Sequence, residues 1–475
     1  MRLINKIIIN FLKKNNKKIY KMKSEEENNT PFITYEERNT ISFLLLSFYC
    51  GLSYISDLSK NYYLKENLHI EPSTMTLILA INKIPWTLNF FYACLIDFFP
   101  ICTFSRKIYI LLCGIINCSV WLFLSFSKED NLYITILCFF FSEVTNSFCS
   151  VLGQSIILEL FSNINYNSHL HSYNIMINDI GILIACYFQG LLVYYFPVKT
   201  VFFITSFLPI LVIISGLLVT ENSKKYSSII SFDDPNITVS QYMFRKKIII
   251  PLIIIFIVFS SPNFYETFFY FSVDVLKFTP NDFGLIAVCK TITSLAIIFL
   301  YNSISNVQKY TKWIIIFGRI LYLFFSKLHY FLYKRINLKY GINDFYSMLI
   351  ITSIQYAIGQ CLKIPVLNIA TLVSHKNFGE MVYTTFVFIM NLGFTFSSFY
   401  CSGLTLYFGI TQNNYLYLGN MIDKCIIFGL IFLIPLIFTP SIYLNPIKKQ
   451  KKVKQEENIY QNELQEFARE ESPTD

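Results

Sequence analysis

The sequence predicts an all-α polytopic membrane protein with about twelve transmembrane helices in two six-helix halves. Three observations carry that prediction. Apolar runs of roughly 20 residues, enough to cross a ~30 Å hydrocarbon core, recur along almost the whole chain. Of 475 residues only 15% are charged and 54% are hydrophobic, whereas a soluble chain carries roughly a quarter charged. The longest polar interruption, ENSKKYSSIISFDDPNITVSQYMFRKK at 221–247, falls midway. Runs such as FLLLSFYCGL and IIIPLIIIFIVF are continuous, which excludes the alternation of a membrane β-barrel.

Residues 1–40 form a basic tail whose IIINFL core is too short for a signal peptide. It reads as a cytosolic tail on an anionic membrane surface, with an organelle-targeting extension as the alternative. The first half, 41–220, then begins. Its first apolar segment, 41–64, carries Asp57 late in its length. The second, 73–96, carries Lys83 within KIPWTLNFFYACLIDFFP (83–100), where a Pro85–Trp86 pair and Asp97 interrupt the apolar pattern. The third and fourth run 108–127 and 132–158, with Glu143 inside the fourth and Glu159 at its end. Asp179 lies in the fifth, 173–196, and the sixth is 200–220. After the polar loop, the second half covers 248–443. Its segments are 248–272 with Glu266, 281–304 with Lys290, 313–333 with Arg319, 345–372 with Lys363, then 382–408 and 421–443. A charged tail occupies 444–475.

Basic residues orient the chain. With both termini in the cytosol, the inner segments hold the N-terminal lysines, Arg106, Lys107, Lys224, Lys225, Arg245, Lys246, Lys247 and the KKQKKVK tail. The outer loops hold far fewer. The formal charge of +9 therefore reflects topology and implies no nucleic-acid partner. The 12 cysteines are scattered without a CxxC pair, so no metal, cofactor or disulfide framework is expected. No HExxH, Walker A loop or nucleophile constellation is present, which excludes the common enzyme classes and ATP-driven transport.

A charge at the bilayer centre costs at least about 2.5–3.5 kcal/mol and normally faces the bundle interior. Lys83, Lys290 and Lys363 either line a cavity or snorkel to the headgroups. Arg319 and Glu266 lie too deep for that; they either serve a ligand or pair with each other or with other charges. Both halves hold both signs. The cations suit an anionic ligand, and Asp57, Glu143, Asp179 and Glu266 suit proton coupling, because a buried carboxyl group can exchange its charge for a proton.

Two six-helix halves around a charged loop is the plan of the major facilitator architecture, with a ligand site at mid-membrane between the halves. Pro85, Trp86, Tyr92, Asp97, Phe98, Phe99, Pro100, Arg106, Lys107, Ile108 and Tyr109 resemble the signature of the folate–biopterin transporter family. SPNFYETFFYFSVDVLKFTPNDFGLI (261–286) is similar to its seventh-helix block, and IPVLNIATLV with GEMVYTTFVFIMNLG (364–393) to its tenth-to-eleventh block. The chain departs from the pattern at Asn89, where the family has a cation, at Ala93 and Ile96, and at Glu266, where it has Asp.

The resemblance implies a secondary transporter of folate, pteridines or related precursors, working by alternating access as a monomer. It occurs in plasma membranes and plastid-type organelles, and the plasma membrane is the expected site. Trp86, Tyr265 or Tyr270 would stack on a flat pterin, Glu266 would meet its amidine edge, and Lys290, Arg319 or Lys363 would hold a carboxylate. Asp97 with Arg106 and Lys107 resembles the charge latch between the second and third helices of facilitator folds. A facilitator for another organic anion, or a non-transporting scaffold or receptor, is the alternative.

Overall fold

The computed structural model describes residues 35–99, 106–128, 130–161, 169–221, 245–303, 310–373 and 379–444. Both expected tails, up to residue 34 and from 445, and most of the central loop lie outside these residues. Within them the chain is helical, with twelve crossing runs. They are α1 (35–67), α2 (72–98), α3 (Lys107–Phe126), α4 (Leu132–Phe161), α5 (His169–Tyr195), α6 (Val198–Leu218), α7 (246–274), α8 (Pro280–Ser303), α9 (Thr311–Tyr333), α10 (Asp344–Val373), α11 (Gly379–Tyr407) and α12 (Leu418–Phe438). The end of the bundle where α1 starts is called near here, and the end where it finishes is called far.

Ten of these runs are long and apolar enough to cross a membrane as one piece. The other two, α2 and α7, are each broken in mid-course. In α2 the helix Pro72–Thr87 passes Pro85, stops, and restarts as Asn89–Phe98. A proline removes one ladder donor and crowds the preceding turn. At the break itself, the Trp86 carbonyl accepts a hydrogen bond from Asn391 Nδ2 of α11 at 2.8 Å. In α7 the helix Lys246–Phe259 halts at SSPN and resumes as Tyr265–Asp274. Here Ser397 of α11 donates to the Ser261 carbonyl at 2.7 Å and accepts from Asn263 Nδ2 at 2.9 Å. Non-helical backbone survives at membrane depth only with such partners. α1 is also irregular: a tight turn at Ser53–Ser56 and a wide π turn at Tyr63–Asn67 flank its helix Asp57–Tyr62. α1 and α7 open the two halves, and interrupted segments in corresponding positions mark where such bundles hold their ligands.

Large apolar side chains such as Phe123, Leu217, Phe299, Phe317 and Leu406 stand exposed, as a lipid-facing surface requires. Inside, each half has its own near-end core. Phe43, Leu46, Tyr49 and Leu152 build one, and Ile255, Ile315, Val366 and Phe386 the other. At the far end a single core spans both halves, joining Tyr62, Tyr63 and Met75 to Phe268, Phe269 and Tyr270. The halves are therefore fused at the far end and separate cores at the near end.

Glycines set the closest approaches. A Cβ on Gly51 of α1 would lie 2.1 Å from the Asn178 carbonyl oxygen of α5 and 2.9 Å from Gly181 Cα. A Cβ on Gly190 of α5 would lie 2.8 Å from Gly284 Cα of α8, across the two halves. Gly51→Ala is expected to force α1 from α5 and destabilise the protein by about 1–3 kcal/mol, read as a lower unfolding temperature in detergent. Gly403→Ala, with nothing within 4 Å of its Cβ position, serves as the neutral comparison.

Candidate functional site

The broken segments bring the mid-membrane charges together in two walls. On the first-half wall, Lys60 of α1 is buried and holds two carboxylates, Asp57 Oδ1 at 3.2 Å and Glu143 Oε1 at 2.6 Å. Trp86 Nε1 donates to the other Glu143 oxygen at 2.9 Å. Trp121 and Phe139 stand within 6 Å of the Lys60 ammonium and complete its enclosure. Asp57 is half exposed toward the interior. Asp179 of α5 completes this wall, with its Oδ2 buried and without a hydrogen-bond partner among the described residues.

The second-half wall is cationic. Lys290 of α8 donates to the Tyr265 hydroxyl at 2.9 Å and lies over that ring at 4.4 Å. Arg319 of α9 is buried on the face of Tyr322 at 4.8 Å, with its Nε unpartnered among the described residues. Lys363 of α10 lies over Phe394 at 5.4 Å and within electrostatic range of Asp179. A cavity of about 50 Å³ behind this wall is lined by Asn263, Tyr265, Tyr322, Ser326, His329 and Gln355.

One ion pair ties the walls. Lys83 of α2 reaches across to Glu266 Oε1 of α7 at 3.0 Å and to Ser398 Oγ of α11 at 3.0 Å. Glu266 is buried while Lys83 keeps 42% of its side chain exposed. Lys83 thus neither snorkels nor stands free, and Glu266 pairs with it rather than with Arg319.

Other expectations need correction. Tyr270 is not at the site: it is fully buried in the far-end core and donates its hydroxyl to the Ile70 carbonyl. It sits one turn beyond Glu266 on the same helix face, which carries it about 6 Å further along the axis, into the closed end. The Asp97 side chain lies outside the described residues. At Arg106 and Lys107 the backbone N–H groups both donate to Glu221 Oε1 at 2.8 Å, so a carboxylate from the end of α6 caps the start of α3.

Among the described residues, an ion pair fastens the two halves at the far end. Lys65, in the π turn of α1, pairs with Asp274 at the end of α7, and Tyr415 donates to the other Asp274 oxygen. Gln412 donates its backbone N–H to Glu71 Oε2 at 3.0 Å and its side-chain amide to the Ile70 carbonyl at 2.7 Å. Ser402 donates to the Ser73 carbonyl at 2.8 Å. All of these except the Tyr415–Asp274 bond, which lies within the second half, join the first half to the second.

Comparison with known proteins agrees with this architecture. The BT1 family model matches residues 50–462. Folate transporter 1 of Plasmodium falciparum (isolate 3D7) is 27% identical over 440 residues, covering 92% of this chain and 85% of that protein. The folate-biopterin transporter of Synechocystis is 23% identical over 425 residues, covering 88% and 84%. Among solved structures, a POT family transporter in complex with 5-aminolevulinic acid superposes with a TM-score of 0.61 at 14% identity, over 85% of this chain and 96% of that one. The nucleoside transporter NupG gives 0.59 at 10% identity, over 85% and 98%. These two likenesses identify the major-facilitator fold. The chain is a multi-pass membrane transport protein and belongs to the BT1 family, the folate–biopterin transporter family.

Proposed function

We propose that the protein carries folate, pteridines or related precursors across a membrane by alternating access, coupled to protons. The observation that carries this reading is the pair of opposed walls at mid-membrane. The first half offers carboxylates, and the second offers three cations with the aromatic faces of Tyr265, Tyr322 and Phe394 beside them. A folate has a flat ring rich in N–H donors at one end and carboxylates at the other. Each end meets the wall of opposite polarity, and the anionic end suits Lys290 and Arg319. The names of the relatives favour the same ligand class.

In this reading the near end is cytosolic, because the basic segments lie there, and both termini face the cytosol. The fused far-end core then corresponds to a state open toward the cytosol. Protons enter through the carboxylates. Protonating Asp57 or Glu143 would loosen their hold on Lys60, and protonating Glu266 would release Lys83.

Uptake of labelled folate, pterin and p-aminobenzoate in a transport-deficient cell tests the ligand class. Uptake of at least one is expected; uptake of none overturns the reading in favour of another organic anion. In reconstituted vesicles an imposed pH gradient is expected to accelerate flux, and an unchanged rate removes the proton from the cycle.

A further inference from the structure

The four mid-membrane carboxylates are not equivalent. Both Glu143 oxygens are bonded, to Lys60 and Trp86, while Asp57 holds Lys60 and Glu266 holds Lys83. Asp179 makes no ion pair among the described residues, and its buried Oδ2 accepts nothing. A buried carboxylate oxygen without a donor is expensive to keep, so its natural complement is a donor absent from the protein.

The local fold aims this carboxylate. The backbone contact of Gly51 with Gly181 locks α1 onto α5, and the neighbouring Asn178 amide is turned into α1, 3.4 Å from the Ser47 carbonyl. Asp179 follows about 100° further round the helix, away from that contact. Lys363 of α10, Tyr54 of α1 and Tyr356 of α10 lie within electrostatic range of Asp179, and the two tyrosines, one from each half, within range of each other. Tyr54 is exposed.

We propose that Asp179, with Lys363 opposite it and Tyr54 and Tyr356 flanking, is the subsite that reads the aminopyrimidinone edge of a pterin ring. This assignment rests on the folate-class reading above and makes it specific. The edge presents a ring N–H and an exocyclic amine side by side, and next to them a carbonyl oxygen. One carboxylate accepts both N–H donors in parallel. An ammonium facing it donates to the carbonyl. The tyrosines supply ring faces for the flat heterocycle. Glu266, the expected partner of this edge, already gives Oε1 to Lys83 and keeps only Oε2 without a partner among the described residues, so it cannot accept the two parallel N–H donors.

The test uses purified full-length protein in lipid nanodiscs and three probes: folic acid, pterin alone, and p-aminobenzoylglutamate, which lacks the pterin. Asp179→Asn is expected to weaken folic acid and pterin roughly 10- to 100-fold, the scale of losing charged hydrogen bonds. It should leave p-aminobenzoylglutamate unchanged, which also demonstrates an intact fold. Asp179→Glu, which keeps the charge, should recover part of the pterin affinity. Equal losses for all three probes, or no loss for folic acid and pterin, overturn the subsite while leaving the folate-class reading standing. Wild-type protein that binds none of the three overturns both.

Discussion

Transport is lost when either Lys83 or Glu266 is reversed in charge, and the exchange of both, Lys83→Glu with Glu266→Lys, restores a measurable part of it. This result is expected because the two side chains are each other's partner at 3.0 Å across the interface of the halves. The neutral variants should not be equal. Lys83→Met strands the buried Glu266 carboxylate, whose second oxygen already has no hydrogen-bond partner among the described residues. An uncompensated buried charge costs about 3–5 kcal/mol, so initial uptake rates corrected for surface expression should fall by roughly two orders of magnitude. Glu266→Gln leaves Lys83 partly exposed and still bonded to Ser398, and should fall less. A Lys83→Met variant milder than Glu266→Gln, or a double exchange no better than the worse single, removes the pair from the mechanism.

Opening of the far end is the second large effect. Lys65→Met or Asp274→Asn breaks an ion pair in which Lys65 is buried and Asp274 only partly exposed. At about 3 kcal/mol, the ratio of far-open to far-closed molecules rises about a hundredfold. A Tyr54→Cys reporter reads this directly, because a membrane-impermeant maleimide added from the far side reaches it only when that end opens. Labelling should be slow in the reporter alone and fast when Lys65→Met is added. Charge exchange between positions 65 and 274 should return it to slow. Equal labelling rates in all three would show that the apolar core holds the far end closed without the ion pair.

The twelve crossings, the two halves and the mid-membrane charges were legible in the sequence for one reason. A charge inside an apolar run is rare enough to stand out, as with Glu143, Lys290 and Arg319. Who partners whom was not legible, since Lys83 and Glu266 stand 183 positions apart and meet only through the crossing of α2 with α7 and α11. Lys60 is not legible as a buried charge because it falls four residues before the expected end of the first segment, where it reads as interfacial. The π turn at Tyr63–Asn67 extends α1 and sets Lys60 inside. Lys65, directly after the expected end of that segment, reads from sequence as an outer-loop lysine for the same reason. The stitching of the α7 break by Ser397 was equally hidden, because nothing in the apolar pattern of α11 separates that serine from a spacer.

The opposed charges of the two walls have a consequence for ligands that fill only half of the space. An elongated molecule with a donor-rich head and an anionic tail lies along the field between the walls and spans them as a strut. In the alternating-access cycle proposed above, its two ends would belong to two bodies that move against each other, and its length would be part of what the moving halves sense. A fragment carrying only one end settles on one wall and leaves the other unloaded. Such fragments should occupy the site and compete with full-length ligands, yet be moved slowly or not at all, which makes truncated ligands the natural inhibitors of this carrier.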